Sequence, residues 1–235
     1  MELLNKVRGL KERVKNREYR YLLKRLFPGG NPVFYSGKQL IMRLSEPRRF
    51  EKVSVGATRR CSYEIIPLDQ NGLEELCRAF PQKEEKFRRR MARGNGCYIA
   101  RKDGCVAGYA WFLDVEGNDF LTNSMWRLRL DKKDGLWMFD VFVEPAHRMR
   151  GLFVCLLSKV YDESKSRGYE TLYGEVFYTN EASTKAHLRV GYEILKEVKF
   201  YSILGLKIYI VTDPHRDVRP TLEFRYSLNV KKYKL

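Results

Sequence analysis

The sequence predicts a mixed α/β fold built on a mostly antiparallel central sheet that contains one parallel pair of strands. Strand-like and helical stretches follow one another from residue 61 onwards in the order β-α-α-β-β-β-α-β-α-β-β. Across residues 136–178, a strand, a helix and a second strand come in succession, and such a unit forms a right-handed parallel crossover. Turn signals join other neighbouring strands, so we expect those pairs to be antiparallel.

The elements of this region are read from their hydrophobic spacing and their stop signals. Gly94, Gly168 and Gly191 each end a helix, and Asp103-Gly104 marks the turn of a hairpin. The predicted elements are a strand at 62–68, helices at 71–80 and 83–94, a hairpin at 96–115, a polar insertion at 116–134, a strand at 135–143, a helix at 151–168, a strand at 170–177, a helix at 180–191 and a hairpin at 192–213.

The N-terminal segment differs in composition from the rest of the chain. Residues 1–27 have apolar side chains at helical spacing on one face and mostly Lys and Arg elsewhere, and Pro and Gly end the pattern at 28–32. We therefore predict a basic amphipathic helix. Three roles stay open for it: packing on the main domain, attachment to a membrane surface, and contact with nucleic acid or an acidic protein.

Three regions follow from these patterns. Residues 33–56 look extended and then turn-rich, and we interpret them as a small hairpin or a linker. The extension therefore covers residues 1–60 and the folded domain residues 61–212. Residues 213–235 form a C-terminal tail, for which packing on the domain is one option.

The net charge of the chain indicates which kinds of partner it favours. The 235 residues contain 45 Lys and Arg against 29 Asp and Glu, a formal net charge of +16. Such an excess favours nucleic acid, an anionic membrane surface, an acidic protein or a phosphate-bearing cofactor. Nucleic acid is disfavoured among these, because the basic residues are dispersed and no aromatic and basic recognition motif appears.

Cysteine and histidine usage predicts no metal site. The five cysteines form no CxxC pair, and the three histidines are scattered. We expect reduced thiols that pack as small hydrophobic side chains. No stretch approaches the roughly 20 apolar residues of a membrane-spanning helix, and charges recur where a signal peptide would be apolar. The expected location is the cytoplasm, with the inner membrane surface as an alternative.

One strand–loop–helix junction carries a recognisable motif. In "VFVEPAHRMRGLF" (141–153), Val143, Pro145, Arg148 and Gly151 are in register with V-x-P-x-x-R/Q-x-x-G-x-G/A. This motif resembles the acyl-CoA-binding motif of the GNAT acetyltransferase superfamily, from which Phe153 departs at the final small position. A helix N-terminus of this kind presents unpaired N–H groups to phosphate.

A second motif strengthens the resemblance, which extends over about residues 62–212. "NEASTKAHLRVGYEI" is similar to the family pattern N-x-x-A-x-x-x-Y-x-x-x-G-F. Asn180, Gly191 and Tyr192 match it, and His187 stands at the usual tyrosine position. The two motifs lie inside the expected strand order. The resemblance therefore implies a GNAT-like sheet whose parallel strands are splayed around an acyl-CoA site.

The resemblance also implies which residues bind the cofactor, acetyl-CoA or another acyl-CoA. The pantetheine arm would pair with the strand end, and the pyrophosphate would lie on the backbone N–H groups of residues 149–154. The expected cofactor-binding residues are Val141, Phe142, Val143, Arg148, Met149, Arg150, Gly151, Leu152, Phe153, Val154 and Asn180.

The activity implied is transfer of the acyl group to a primary amine, by direct attack in a ternary complex. A lysine-like amine has a pKa of about 10.4 and must lose a proton, so a base is useful. Glu175 lies across the expected cleft and is either that base or a structural or substrate-positioning carboxylate. His187 is a proton donor to the leaving thiolate, a positioning residue or a structural one. Asp140 is not expected to act as base.

Two alternatives use the same residues differently. A long-chain acyl group on acyl carrier protein, which is acidic, suits a basic partner. A non-catalytic basic binding module is the alternative from another class, and the departures at Phe153 and His187 favour it slightly. The sequence has no code for the acceptor amine.

Overall fold

The computed structural model describes residues 34–46, 62–115, 120–121, 127–128, 135–203, 206–214 and 221–226. The predicted basic helix at 1–27 lies outside them. The strands are β1 (Phe34–Leu44), β2 (Glu64–Pro67), β3 (Gly96–Lys102), β4 (Cys105–Asp114), β5 (Phe120–Leu121), β6 (Arg127–Leu128), β7 (Gly135–Val143), β8 (Thr171–Phe177), β9 (Glu193–Ile203), β10 (Leu206–Thr212) and β11 (Thr221–Tyr226). The helices are α1 (Gln70–Ala79), α2 (Glu84–Ala92), α3 (Leu152–Ser166) and α4 (Glu181–Val190).

Local chemistry accounts for where these elements begin and end. Asp69 caps α1 by accepting a hydrogen bond from the Gly72 amide at 2.7 Å. In the β3–β4 turn, Asp103 and Gly104 have φ angles of 52° and 76°, as a tight hairpin turn with two left-handed residues requires. Gly168 and Gly191 lie just after α3 and α4 with φ angles of 77° and 107°. The predicted helices and hairpins of this region are confirmed.

Nine strands form one sheet in the order β11-β10-β9-β1-β8-β7-β4-β3-β2. The pairing of β7 with β8 is parallel, and the other neighbouring pairs are antiparallel. This confirms the predicted mixed sheet with one parallel pair. The crossover between the two parallel strands contains α3, so the junction at residues 144–151 lies at the carboxyl end of β7.

The two faces of the sheet carry separate hydrophobic clusters. On one face, Leu76 of α1 and Phe87 of α2 pack with Trp111 and Trp137 of the sheet. On the other face, α3 supplies Leu156 to a cluster that includes sheet residues on the opposite side of the same strands. Alternate residues of each strand therefore face either α1 and α2 or α3 and α4, which fixes the side on which each polar group of the site points.

Strand β1 lies in the middle of the sheet, between β8 and β9. Residues 34–44 were interpreted above as part of a hairpin or linker, and the structure instead places them in the sheet. The reason is visible in the burial of both faces: Leu40 and Met42 belong to the α3 cluster, and Ile41 belongs to the α1/α2 cluster. The start of the domain at residue 61 remains a prediction, but the sheet includes β1.

A buried side chain of β1 tests this placement. Met42 is 0% exposed, so Met42→Ala should lower the free energy of unfolding by about 2–5 kcal/mol through lost contacts and a cavity. Arg43, its neighbour, is exposed and pairs with Glu193 at 3.5 Å, so Arg43→Ala should change stability by less than about 1 kcal/mol. Urea unfolding measures both variants. Equal, small effects would show that residues 34–44 are not part of the core.

Candidate active site

The parallel strands β7 and β8 pair over only part of their length. Their ladder runs from Gly135–Thr171 to Met138–Gly174. Beyond it, β7 stays paired with β4 up to Val143, and β8 stays paired with β1 up to Phe177. The two strands therefore separate at their carboxyl ends, and the β8-facing edge of the last residues of β7 is available to a ligand.

A β-bulge in β7 lies next to this gap. Trp111 pairs with Phe139 and Ala110 with Val141, so Asp140 has no residue opposite it in β4. Asp140 has a φ angle of 48°, which is unusual for a residue other than glycine. A bulge of this kind bends the strand and redirects its side chains, and here it brings the Asp140 carboxylate to the α2 side of the sheet.

Cations hold the Asp140 carboxylate in place. It accepts hydrogen bonds from Arg90 at 2.5 Å and from Lys86 at 2.8 Å. Burial alone would raise the pKa of the Asp140 carboxyl, but Arg90 and Lys86 more than offset that effect and keep the pKa below its ordinary value. Asp140 is therefore an ionised anchor, which makes it a poor proton acceptor.

The loop after β7 exposes a run of backbone amides. A 3-10 turn at Pro145–His147 is followed by Met149 and Gly151, both with positive φ, at 60° and 82°. No backbone carbonyl in the described part of the chain accepts from the amides of residues 149–153. The Val154 amide, by contrast, donates to the Gly151 carbonyl at 3.0 Å. Alternating backbone conformations with free N–H groups form an anion-binding concavity at the start of α3.

The side chains of this loop leave the concavity open. A Cβ atom added at Gly151 would meet no atom within 4 Å. Met149 is 96% exposed. Arg148 bends back, and its Nε donates to the Val143 carbonyl at 3.2 Å. The predicted cofactor-binding residues 141–143 and 148–154 thus lie along the strand end, the loop and the first turn of α3, and of the predicted amides that of Val154 already donates to the Gly151 carbonyl.

Asn180 lies on a different element from these residues. Its side chain caps α4 by accepting from the Ser183 amide at 3.2 Å. This local bond gives Asn180 a structural task, and its contact with a cofactor stays a prediction.

Glu175 lies on β8 opposite Ile41 of β1. Tyr173, two residues earlier, belongs to the α1/α2 cluster, so Glu175 faces that same side of the sheet. Its Oε2 atom accepts from Gln39 Nε2 at 3.3 Å. Gln39 is 0% exposed, and none of the described residues is a hydrogen-bond partner of its Oε1 atom. Sequence reasoning missed Gln39, because it lies in the segment that was interpreted as a linker.

His187 is buried beside Phe153, the other position at which the chain departs from the family motifs. The His187 ring is 4% exposed and lies edge-on to Phe153 and Tyr192, with centroid distances of 5.0 and 4.9 Å. The two departures therefore contact one another: an aromatic ring replaces a small residue in α3, and an imidazole replaces a tyrosine in α4. Their packing links the first turn of α3 to α4.

The hydrogen bond of His187 fixes its tautomer. Nδ1 lies 2.8 Å from the Ser183 carbonyl oxygen, which can only accept, so Nδ1 carries the hydrogen. Burial lowers the pKa of His187, and the bond to Ser183 opposes this only in part. A neutral imidazole with its proton on Nδ1 has an acceptor at Nε2 and no proton to give there. This geometry favours a positioning or structural role over that of proton donor.

A third polar group lies on the α1/α2 side. Lys83, in the turn Pro81–Lys83, donates from Nζ to the Tyr109 hydroxyl at 2.8 Å. Its ammonium lies 4.8 Å from the centroid of the Phe142 ring. Sequence reasoning missed this lysine because its neighbours come from β4 and β7, distant in sequence.

Among the residues described above, no group of three or more His, Cys, Asp or Glu side chains is arranged to hold a metal ion. No helix within the described ranges is long and apolar enough to cross a membrane.

Known proteins share this region of the chain. Residues 65–192, more than half of the chain, match the sequence model of the acetyltransferase (GNAT) family. The L-amino acid N-acyltransferase MnaT of Escherichia coli and the L-methionine sulfoximine/L-methionine sulfone acetyltransferase of Salmonella typhimurium are each 25% identical over 112 residues, 48% of this chain and 58% of the relative. The matched region thus spans little more than half the length of these relatives.

A solved structure is similar as well. The aminoglycoside N-acetyltransferase AAC(6')-Iy, in complex with CoA, has a TM-score of 0.46 at 21% identity and covers 55% of this chain and 91% of that one.

The protonation state of His187 has a consequence for stability. Because its pKa is lowered in the folded chain, the unfolded chain binds the proton first as pH falls below about 6.5. The free energy of unfolding should therefore decrease below about pH 6.5, by at most about 1.4 kcal/mol per pH unit from this group. In His187→Phe, the decrease in the free energy of unfolding between pH 7.5 and 5.5 should be smaller than in the wild type.

The control for this experiment changes the same packing and keeps the imidazole. Phe153→Leu should retain the pH dependence of the wild type, whatever its stability at pH 7.5. Chemical denaturation at the two pH values measures all three proteins. An identical pH dependence in His187→Phe and the wild type would contradict a buried neutral histidine.

Proposed function

Since the chain belongs to the GNAT acetyltransferase family, we propose that it is an N-acyltransferase. It moves an acyl group, acetyl in the simplest case, from acyl-CoA to a primary amine by direct attack in a ternary complex. The observation that carries the proposal is the gap between β7 and β8, followed directly by the free amides of residues 149–153. A strand edge and an anion-binding loop in sequence suit a ligand that has an amide-containing arm and a pyrophosphate.

The residues present fit such a donor. The strand end at residues 141–143 would bind the pantetheine arm along its backbone, and the loop amides would bind the pyrophosphate. The ring of Phe153 does not interfere with contacts made by main-chain N–H groups. The bound donor supplies an activated thioester carbonyl, and the backbone N–H groups near Val143 would stabilise the charge that develops on its oxygen.

Glu175 is our candidate for the base. It directly follows the last residue of the β7–β8 ladder, on the α1/α2 face of the sheet, and would accept the proton that the amine loses as its nitrogen attacks the carbonyl carbon and the C–S bond breaks. Gln39 holds the carboxylate through its Nε2 donor. We assign His187 a positioning role, because its Nδ1–H is committed to Ser183 and its ring supports Phe153.

The forms of this proposal differ in the acyl donor that the enzyme uses and in the place where it acts. Acyl carrier protein or an anionic membrane surface would be recruited through the basic segment at 1–27, which lies outside the described residues. Thiol release from acetyl-CoA, from long-chain acyl-CoA and from acyl carrier protein, each with an amine acceptor, separates these donors. We expect acyl-CoA to be used, with intersecting initial-velocity lines as a ternary complex requires.

Gly151→Glu tests donor binding. A carboxylate at this position would meet the pyrophosphate, so the Kd for CoA in calorimetry should rise at least about a hundredfold. Gly168→Glu is the matched control, because Gly168 also has a positive φ of 77° and open space around a Cβ. It should bind CoA as the wild type does. Equal affinities in all three proteins would exclude the loop as the pyrophosphate site.

Glu175→Gln tests the base. We expect kcat at pH 7.5 to fall by about a hundredfold to ten-thousandfold, with an unchanged Kd for CoA. The deficit should shrink as pH rises, because a larger fraction of the amine is then already neutral. Glu85→Gln, at a 95% exposed side chain on α2, is the control and should keep wild-type kcat. A wild-type kcat in Glu175→Gln would leave Glu175 with a packing role only.

A further inference from the structure

Lys83 is held at the end of β7 by aromatic side chains. The turn Pro81–Lys83 joins α1 to α2 and directs the lysine across the sheet towards Tyr109 and Phe142. Its ammonium lies 4.8 Å from the centroid of the Phe142 ring and 5.4 Å from those of Phe80 and Tyr109. Cation–π contacts of this kind stabilise the ammonium and set its position.

This ammonium has no carboxylate partner in the described part of the chain. No Asp or Glu oxygen of those residues lies within 4.0 Å of it, and the nearby carboxylate of Asp140 already accepts from Arg90 and Lys86. Lys83, Lys86 and Arg90 are therefore three cations around a single carboxylate, that of Asp140. A partly buried cation without an anion is unfavourable. Burial, together with Lys86 and Arg90, lowers the pKa of Lys83, while Asp140 opposes this effect.

The hydrogen-bonding capacity of Lys83 is also incomplete. An ammonium has three N–H donors, and the Tyr109 hydroxyl takes one of them at 2.8 Å. Tyr109 is fully buried, and burial together with the nearby Asp140 carboxylate raises the pKa of its hydroxyl, which therefore stays protonated. The half-buried Lys83 keeps two donors for a group from outside. Either donor can form a charge-assisted hydrogen bond with a carboxylate oxygen.

We propose that Lys83 binds a carboxylate of the acceptor, so that the acceptors of this chain are amines that also carry a carboxylate, such as amino acids. This inference rests on the proposed function. Phe142, beside Lys83, belongs to the strand that would bind the donor, and Glu175 faces the same side of the sheet. A carboxylate held at Lys83 therefore leaves the amine of the acceptor on the side of the gap where the candidate base lies.

Matched acceptors test the proposal. L-phenylalanine is compared with 2-phenylethylamine, and 4-aminobutyrate with butylamine, at saturating acetyl-CoA. The wild type should prefer the carboxylated member of at least one pair. Lys83→Met keeps the stem among the aromatic rings and removes the charge. It should raise KM for that carboxylated acceptor by about ten- to a hundredfold, with kcat and the Kd for CoA unchanged.

Two further variants make the comparison specific. Lys83→Arg keeps the charge and should recover most of the affinity for the carboxylated acceptor. Lys165→Met removes a different lysine that also lies over a tyrosine, at 5.3 Å from the Tyr161 ring, at the far end of α3. It should leave KM for all four acceptors at wild-type values. The KM for the amines without a carboxylate should be the same in the wild type and in Lys83→Met.

Two results would overturn the proposal while acyl transfer itself stands. One is an equal KM change for both members of a pair, which would give Lys83 a structural role. The other is a loss of kcat at unchanged KM, which would place Lys83 in proton transfer. If no amine is acylated, the proposed function fails, and calorimetry with the CoA-saturated protein then decides. Lys83-dependent binding of 4-aminobutyrate over butylamine would support the carboxylate site, and equal affinities would overturn it.

Discussion

The end of the ladder between β7 and β8, at Met138–Gly174, is the constraint on which the site depends. Both strands continue beyond it, each held by its outer neighbour, so the gap is built into the sheet and needs no moving part. The last residues of β7 therefore have no strand partner on the β8 side, and their backbone groups on that edge are available to a ligand. The bulge at Asp140 follows two residues after that point, and the free amides at the start of α3 come after the end of the same strand.

The two faces of the sheet carry different kinds of interaction. On the α3 side, Phe153 and His187 fill the space between two helices, and their contact explains how the chain accommodates two departures from the family motifs together. On the α1/α2 side, charged groups collect around one ionised carboxylate, Asp140, which is anchored by Arg90 and Lys86. A polar cluster this close to buried aromatic rings needs specific partners for its charges, as the carboxylate of Asp140 has in Arg90 and Lys86.

The sequence was sufficient for the parts of the fold that short-range patterns determine. The hairpin at Asp103-Gly104, the parallel crossover and the loop ending at Gly151 all have local signals, and the family motifs supplied the prediction of a donor site. Strand β1 looks extended in the sequence but has no signal for its place in the sheet, because its neighbours are far away in sequence, and Gln39 was missed with it. Lys83 was missed for a related reason: a lysine in a turn usually points to solvent, and only the fold brings Phe142 and Tyr109 to it.

The central position of β1 also determines the order in which the sheet can be completed. Gln39 and Glu175 are separated by 136 residues, so β1 leaves the ribosome long before its native neighbours exist. At usual synthesis rates this interval is on the order of ten seconds. Until β8 and β9 have been synthesised, β1 lacks both of the strands that it pairs with in the sheet. Pairing between such distant segments is slow, and an apolar strand with open edges is prone to aggregation. The hydrogen bond between Gln39 and Glu175 can form only after β8 has been synthesised, so the candidate base gains this contact late in folding.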